Sequence, residues 1–337
     1  MAAETWTIKR CLDWTERFLA AHGEERPRLA AEWLLSAATG LARIELYMSF
    51  DRPLGASELD VMHRFVARRS TGEPLQYITE QAMFRTIAIA CEPGVLIPRP
   101  ETEVLVGEVL AFLDHERAPE VLAHRERVEL PWNDEVGSST DEQGMPNPSQ
   151  TVPRDAARIL EIGCGTGCIS LAIASERPGQ VKIVATDIDP SAVALAQRNR
   201  VALGLDEETI SFREGDLAEP VAPDELAGFD VLVSNPPYIP RAVMADLPRE
   251  VSAFEPELAL DGGADGLQIY RRLLRLASMA LRPGGLLACE LYEESLEEAA
   301  ELARGADLVD VSIVEDLAGR PRVLLAHAPA RSLSTGR

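Results

Sequence analysis

The sequence predicts an α/β fold, with a mostly parallel seven-stranded sheet covered by helices on both faces and preceded by a small helical bundle. From about residue 156 to 327, short apolar runs alternate with amphipathic runs, as parallel strands alternate with crossover helices. Residues 1 to about 70 instead carry apolar side chains at helical spacing. Gly163, Gly165 and Gly167 directly follow the first strand-like run, where glycines allow close approach of the backbone to a ligand.

The N-terminal residues 1–72 are predicted to form a separate helical domain. Leu and Trp recur at helical spacing, Pro27 stands near a helix start, and residues 53–55 separate two helices. Residues 73–92 are predicted to form a hairpin-like linker, and residues 93–328 a single α/β domain.

The first four strands of that α/β domain are each followed by residues suited to ligand binding. These strands are predicted over 158–162, 181–186, 210–214 and 229–234. The glycine-rich loop, Asp187, Asp216 and Asn235 follow them in that order. Because the carboxyl ends of parallel strands meet at one edge of an open sheet, we expect these residues to lie around one ligand.

The remainder of the α/β domain supplies the last three strands. A helix is predicted over 265–281, a strand over 286–291 and a helix over 296–304. The runs 308–314 and 322–327 are predicted as an antiparallel hairpin that closes the sheet.

Two segments are predicted to lack regular structure. Residues 114–157 contain Pro, Gly, Ser and acidic residues with few apolar ones, which indicates a flexible insertion. Residues 329–337 are predicted to be a disordered tail.

The composition restricts the class of partner. Lys and Arg number 33 against 55 Asp and Glu, a net charge of −22 that disfavours a phosphate-binding surface and suits a basic protein partner. The five cysteines form no C-x-x-C pair, so we expect no metal site and a reducing, cytoplasmic setting. No apolar run is long enough to predict a membrane span or an export signal.

The glycine loop and the two acids that follow it indicate a nucleoside ligand. The spacing G-x-G-x-G differs from that of dinucleotide sites, and no Gly-Lys-Ser/Thr follows to hold a triphosphate. Asp187 is placed to accept hydrogen bonds from vicinal ribose hydroxyls, and Asp216 from an adenine amino group. The alternative interpretation is that each acid caps a helix or lies in a solvated loop.

The segment Asn235-Pro236-Pro237-Tyr238 places an amide, an imide carbonyl and an aromatic ring at the end of one strand. Two prolines remove two backbone donors, so the carbonyls there have no partner within the sheet. Such a loop is suited to holding a planar NH2 group between two acceptors and a ring. A Pro-rich turn that merely closes the strand is the alternative.

Taken together, these motifs resemble those of S-adenosylmethionine-dependent methyltransferases that act on amino groups. The segments 94–103 (GVLIPRPETE), 254–260 (FEPELAL) and 72–78 (GEPLQYI) further resemble the HemK/PrmC family of peptide chain release factor glutamine methyltransferases. The resemblance extends from about residue 25 to 327 and implies the class I methyltransferase fold, a Rossmann-like sheet. It also implies S-adenosylmethionine as cofactor, and substrate recognition by the N-terminal domain. The implied cofactor-binding residues are Glu161, Gly163, Cys164, Gly165, Thr166, Gly167, Asp187, Asp216 and Asn235.

The reaction that the resemblance implies is methylation of the glutamine amide nitrogen in the Gly-Gly-Gln loop of bacterial class 1 release factors. The substrate amide is expected to donate hydrogen bonds to the Asn235 side-chain oxygen and the Pro236 carbonyl, with the Tyr238 ring on its plane. Asn235, Pro236 and Tyr238 are therefore the predicted catalytic residues. Pro237, Phe84, Ile97, Arg99 and Glu255 complete the predicted acceptor site. We expect Arg99 and Glu255 to support the loop over this site by an ion pair or hydrogen bonds, and favour this over a direct part in the chemistry.

Three alternatives stay open on sequence grounds. One is a glutamine methyltransferase that acts on a ribosomal protein, and the second is an amino-group methyltransferase of nucleic acid, which would require a basic groove. The third is a catalytically idle binding protein, which the intact glycines and Asn235 disfavour. We further expect a monomer without direct nucleic-acid contact. Tyr292 stands where relatives commonly have glycine, which leaves the role of that loop open.

Overall fold

The computed structural model describes residues 5–117 and 156–330. Residues 118–155 of the predicted insertion and residues 331–337 of the predicted tail therefore lie outside the described residues. Residues 114–117, predicted to belong to the insertion, instead form the last turn of a helix that begins at Thr102.

Five helices form the N-terminal part: α1 (Ile8–Ala21), α2 (Pro27–Thr39), α3 (Arg43–Met48), α4 (Ala56–Arg69) and α5 (Leu75–Thr79). Their local signals agree with the sequence, since the Thr7 side chain caps α1 and Pro27 opens α2. Apolar residues spaced along the helices bury one another in a common core that includes Ile8, Leu12, Leu34, Leu35 and Leu46.

A short antiparallel hairpin connects this bundle to the α/β domain. It consists of β1 (Gln81–Phe84) and β2 (Ile87–Ala90), in which inward and outward residues alternate. The helix α6 (Thr102–Arg117) follows.

The α/β domain is built on one sheet of seven strands: β3 (Ala157–Ile162), β4 (Val181–Asp187), β5 (Ile210–Glu214), β6 (Phe229–Ser234), β7 (Leu281–Glu290), β8 (Val309–Glu315) and β9 (Pro321–His327). Their spatial order is β5-β4-β3-β6-β7-β9-β8. The strand β9 pairs antiparallel with both β7 and β8, and all other pairs in the sheet are parallel, so the predicted fold class and the closing hairpin are confirmed.

Helices cover both faces of this sheet: α6, α7 (Cys168–Glu176) and α8 (Pro190–Ala202) on one, and α11 (Gln268–Ala280) and α12 (Leu296–Gly305) on the other. Two short helices, α9 (Pro223–Leu226) and α10 (Arg249–Ser252), stand before and after β6 in the chain and have no buried residues. Strand side chains alternate between the two layers, as a pleated strand requires. Ile159 packs in the layer that contains α6, α7 and α8, and the adjacent Leu160 packs in the layer that contains α11 and α12. No helix among the described residues is long and apolar enough to cross a membrane.

Two predicted boundaries were wrong. The strand β7 begins at Leu281, five residues before the predicted start, because Leu281 pairs with Phe229 across an irregularity in the ladder. The helix α11 begins at Gln268 and not at Asp265. The residues before it instead form a glycine-rich loop against the chain that follows Asn235.

Candidate active site

The predicted ligand-binding residues meet at the carboxyl edge of the sheet, where the chain order reverses. From β3 the chain moves outward to β4 and β5, and then returns to the other side of β3 as β6. Such a reversal leaves a crevice between neighbouring loops. A cavity of about 550 Å³ lies there, and its lining includes Gly163, Gly165, Asp187, Asp216 and Asn235.

The glycine loop is held against β4 by its backbone. The amides of Gly163 and Cys164 donate to the Thr186 carbonyl at 2.8 and 3.0 Å. Gly163 and Gly165 have φ of +74° and +53°, a left-handed conformation that admits glycine most readily. Both line the cavity.

Three other predicted loop residues do not line this cavity. Cys164 and Thr166 are buried beneath it. Gly167 lies where an added Cβ would come within 2.9 Å of the Phe212 ring, so its small size is needed for packing between strand and helix. In the structure these three residues lie outside the cavity lining, and their contact with the cofactor stays a prediction.

Glu161 is also turned away from the cavity. Its carboxylate accepts hydrogen bonds from the Ser170 backbone amide at 3.1 Å and from the Ser170 hydroxyl. Complete burial raises the pKa of Glu161 to about 8, although the two bonds from Ser170 lower it. The structure thus places Glu161 inside the domain, against the first turn of α7, and not among the cavity-lining residues.

Asp187 is hydrogen-bonded to the glycine loop and also lines the cavity. Its two carboxylate oxygens accept one backbone hydrogen bond each, from Gly165 at 2.8 Å and from Asp189 at 2.9 Å. Each oxygen retains acceptor capacity, since an ionised carboxylate offers about four lone-pair sites. Burial raises the pKa of Asp187, and the backbone bonds oppose this effect. The geometry therefore leaves Asp187 able to accept from a diol in the cavity.

Asp216 also lines the cavity, and it forms an ion pair that the sequence did not indicate. Its Oδ2 accepts from Arg272 of α11 at 2.7 Å. Both side chains are about one-third exposed, so the pair lies at the rim of the cavity. Its other oxygen, Oδ1, is the atom that an amino group of a ligand can reach.

A second cavity of about 440 Å³ adjoins the first. Tyr238, Arg99, Val251 and Glu290 contribute to its walls. Asn235 lines both cavities. Pro236 and Pro237 line the first, so the Asn-Pro-Pro-Tyr loop forms the boundary between the two spaces.

Asn235 and Tyr238 are tied together by a buried network. Asn235 Nδ2 donates to the Thr102 hydroxyl at 3.1 Å, and that hydroxyl donates to Glu290 Oε2 at 2.7 Å. The Tyr238 hydroxyl donates to the other oxygen of the same carboxylate, Glu290 Oε1, at 2.9 Å. Among the described residues no group donates to Asn235 Oδ1, which leaves that oxygen for a ligand.

The remaining predicted acceptor residues divide into two groups. Arg99 lines the second cavity and forms the predicted ion pair with buried Glu255, at 2.5 Å. Phe84 and Ile97, predicted to line the pocket, do not: both are 1% exposed and pack in apolar clusters. Tyr292 lines neither cavity.

Sequence reasoning missed the two residues that connect the network. Thr102 stands within the segment 94–103 and Glu290 ends β7, so both were visible as polar residues beside motifs. Their partners lie 133 and 52 residues away along the chain, at Asn235 and Tyr238. No local pattern reveals such pairings. Among the described residues, no group of His, Cys, Asp and Glu is arranged to hold a metal ion.

Comparisons with known proteins agree with this architecture. Residues 10–79 match the PrmC N-terminal domain family, and residues 149–247 match the methyltransferase small domain family. The release factor glutamine methyltransferase of Geobacter sulfurreducens is 39% identical, over 95% of this chain and 96% of that protein. Proteins of the same name from Moorella thermoacetica and Chlorobaculum tepidum are 36% and 35% identical, over 95% and 93% of this chain and 98% and 94% of those proteins.

Proposed function

The chain belongs to the family of release factor glutamine methyltransferases, and we propose from this premise that its acceptor is the glutamine of the Gly-Gly-Gln motif in bacterial class 1 release factors. It is an S-adenosylmethionine-dependent enzyme with the class I methyltransferase fold. The atom methylated is the side-chain amide nitrogen of that glutamine.

The first cavity fits S-adenosylmethionine. Its glycine backbone leaves room for close approach, Asp187 has free acceptor sites for the ribose hydroxyls, and Asp216 Oδ1 is accessible to an adenine amino group. The cavity volume of about 550 Å³ is within the usual range for ligands of this size. When bound, this cofactor supplies an activated methyl group on a sulfonium sulfur.

The second cavity is the proposed site of the acceptor glutamine. Its side-chain NH2 would donate to Asn235 Oδ1 and to the Pro236 carbonyl, which fixes the nitrogen at the boundary between the two cavities. The Tyr238 ring, held by its hydroxyl bond to Glu290, would cover the amide plane and exclude water. These contacts increase electron density on the nitrogen and aim its lone pair towards the first cavity.

In this proposal, positioning of the acceptor nitrogen accounts for most of the rate enhancement. A carboxamide nitrogen is a poor nucleophile, and holding it at near-attack distance can contribute up to about 7–11 kcal/mol. No strong base is required before transfer, because the methylated nitrogen becomes acidic and loses its proton afterwards. Among the described residues, those that line the two cavities include no histidine.

The observation that carries the proposal is the place of Asn235, whose side chain lines both cavities and whose oxygen has no protein donor among the described residues. The net charge of −22 supports a basic protein as the partner. The cytoplasm, where release factors act, is the proposed location, and a monomer the proposed state.

The test is methyl transfer from labelled S-adenosylmethionine to purified release factors, a ribosomal protein fraction and nucleic acid, followed by mass-spectrometric mapping of the methylated residue. We expect label on the Gly-Gly-Gln glutamine alone, and no label on a release factor whose motif carries alanine in place of that glutamine. Label on a ribosomal protein or on nucleic acid, with release factors unmodified, would contradict the proposed acceptor.

A further inference from the structure

The side chains of Thr102 and Glu290 form the only hydrogen-bonded connection, among the described residues, between the Asn235 amide and a carboxylate. We propose that Thr102 and Glu290 are positioning residues, which orient the Asn235 amide so that Oδ1, and not Nδ2, faces the acceptor glutamine. This inference rests on the proposed function. It assigns a role to two residues that the motifs alone leave without one.

The orientation follows from counting hydrogens. A threonine hydroxyl has one hydrogen, and an ionised carboxylate can only accept. The Thr102 hydrogen is therefore committed to Glu290 Oε2, at 2.7 Å. The hydroxyl oxygen then presents only lone pairs to Asn235, so the group that faces it at 3.1 Å must be the donor Nδ2. The oxygen and nitrogen of an amide have nearly the same shape, and the network decides between them.

While Glu290 is ionised, the network has no alternative arrangement that keeps all its bonds. Oε1 of Glu290 is occupied by the Tyr238 hydroxyl, so both carboxylate oxygens have a donor. Thr102 is 2% exposed and Glu290 1% exposed, so water cannot readily replace a lost bond. A flipped Asn235 would set its oxygen against the lone pairs of Thr102.

The consequence for catalysis is direct. With the amide flipped, an NH2 group of Asn235 would face the NH2 group of the substrate glutamine, and two donors cannot bond to one another. The acceptor nitrogen would then lose one of its two proposed hydrogen bonds. Thr102 lines neither cavity and acts only through Asn235 and Glu290. Glu290 borders the second cavity, but both of its carboxylate oxygens are taken by Thr102 and Tyr238, so it acts through those two side chains.

The charge state that this arrangement requires is set by neighbours on several elements. The pKa of Glu290 is raised overall, because burial outweighs the bonds from Thr102 of α6 and Tyr238 and the positive charge of Arg322 on β9, which lower it. Glu101 is the nearby group that opposes ionisation. Two donors and one cation thus surround a carboxylate that would otherwise be isolated from water.

The test is a double-mutant cycle in the full-length enzyme, with methyl transfer to a release factor as the measured rate. Thr102→Val keeps the shape of the side chain and removes the hydroxyl, so we expect kcat to fall about 10–100-fold, the range for residues that orient a functional group. Thr102→Ser retains the hydroxyl and should restore most of the rate. The dissociation constant of S-adenosylmethionine should be the same in all three proteins.

The second arm places the same substitution in an Asn235→Ala background. If Thr102 acts by orienting Asn235, Thr102→Val should change the residual rate by less than about twofold there, because the group to be oriented is absent. An equal loss in both backgrounds would overturn the inference, since it would show that Thr102 acts independently of Asn235.

Glu290→Gln supplies the same cycle if Thr102→Val does not fold. A glutamine offers one acceptor oxygen where the carboxylate offers two, so either Thr102 or Tyr238 loses the acceptor of its hydroxyl hydrogen. The fall in kcat should be larger in the wild-type background than in the Asn235→Ala background, where only the contribution through Tyr238 is left to lose. Different results would contradict the proposed function and this inference. A wild-type enzyme that leaves release factors unmodified would contradict the function. An active wild type with a fully active Thr102→Val variant would contradict the positioning role alone.

Discussion

At the scale of single residues, Asp187 has two tasks at the end of β4. It holds the glycine loop through Gly165, and it keeps acceptor sites directed at the first cavity. Asp187→Ala should weaken S-adenosylmethionine binding by about 1.5–3 kcal/mol, the scale of hydrogen bonds to a charged group. Isothermal titration of the cofactor measures this directly. Glu214→Ala removes an exposed acid at the end of the neighbouring strand and serves as the control. Equal affinities of the two variants would remove Asp187 from the site.

Glu161 makes stability depend on pH. Its pKa is raised from 4.5 to about 8 by burial, so the folded protein retains a proton that the unfolded chain has lost. Between pH 4.5 and about 8 the folded state binds more protons than the unfolded state. The contribution of Glu161 to stability is therefore lost as pH rises towards about 8.

Glu161→Gln mimics the protonated side chain and should remove this dependence. We expect the variant and the wild type to have similar melting temperatures at pH 5, and the variant to melt at a higher temperature at pH 8. If the melting temperatures of the two proteins differ by the same amount at every pH in this range, Glu161 is ionised in the folded protein. Thermal denaturation followed by circular dichroism is sufficient for the comparison.

At the scale of elements, the loop before α11 shapes the Asn-Pro-Pro-Tyr segment. Gly266 has φ of +78°, and a Cβ added there would lie 2.4 Å from the Tyr238 carbonyl oxygen. The backbone of the same loop is hydrogen-bonded to the chain after Tyr238, through Ile239 and Arg241. The loop thus helps to fix the position of the Asn-Pro-Pro-Tyr segment.

Gly266→Ala should consequently lower both stability and the methyl-transfer rate. Overpacking and the unfavourable φ together should cost about 1–3 kcal/mol of unfolding free energy. Gly305→Ala is the matched control, because Gly305 at the end of α12 has open space around its Cβ position. Urea denaturation of the two variants tests this. If Gly266→Ala is as stable and as active as Gly305→Ala, the close packing against Tyr238 is not required.

The strands and helices also show which features of the fold are determined by the local sequence. The strands β3, β4, β5 and β6 could be predicted because each is a short apolar run that ends in Gly, Asp or Asn. The start of β7 could not, because Leu281 joins the sheet through an irregular ladder with β6, and the Pro and Gly residues that follow it, 283–285, resemble a turn. Phe84 and Ile97 were misplaced for a related reason, since the sequence shows that a residue is apolar but not which cavity or core it faces.

At the scale of the whole molecule, the N-terminal bundle contacts the wall of the acceptor cavity. Arg69 of α4 bonds to Glu24 within the bundle and to Glu250 of α10 at 2.8 Å. The α10 segment contributes Val251 to the second cavity. An ion pair therefore joins the bundle to the short helix that borders the second cavity, the proposed acceptor site.

Long-range contacts of this kind explain the limit of prediction from sequence. The candidate cofactor residues Gly163, Gly165, Asp187 and Asp216 could be named because they stand at strand ends. The pairings of Thr102 with Glu290 and of Asp216 with Arg272 span 188 and 56 residues. They depend on how distant elements pack, which no local pattern specifies.

The central claim is that Asn235 orients the acceptor amide at the boundary between the two cavities. The most direct measurement is the single-turnover rate of methyl transfer by Asn235→Ala, with the cofactor dissociation constant measured on the same preparation. We expect a rate about 10²–10³-fold below wild type, the scale for one preorganised polar group, with unchanged cofactor affinity and folding. Asn235→Asp, which adds a charge beside the glutamine, should also be impaired. A wild-type rate of release factor methylation by Asn235→Ala would contradict the account.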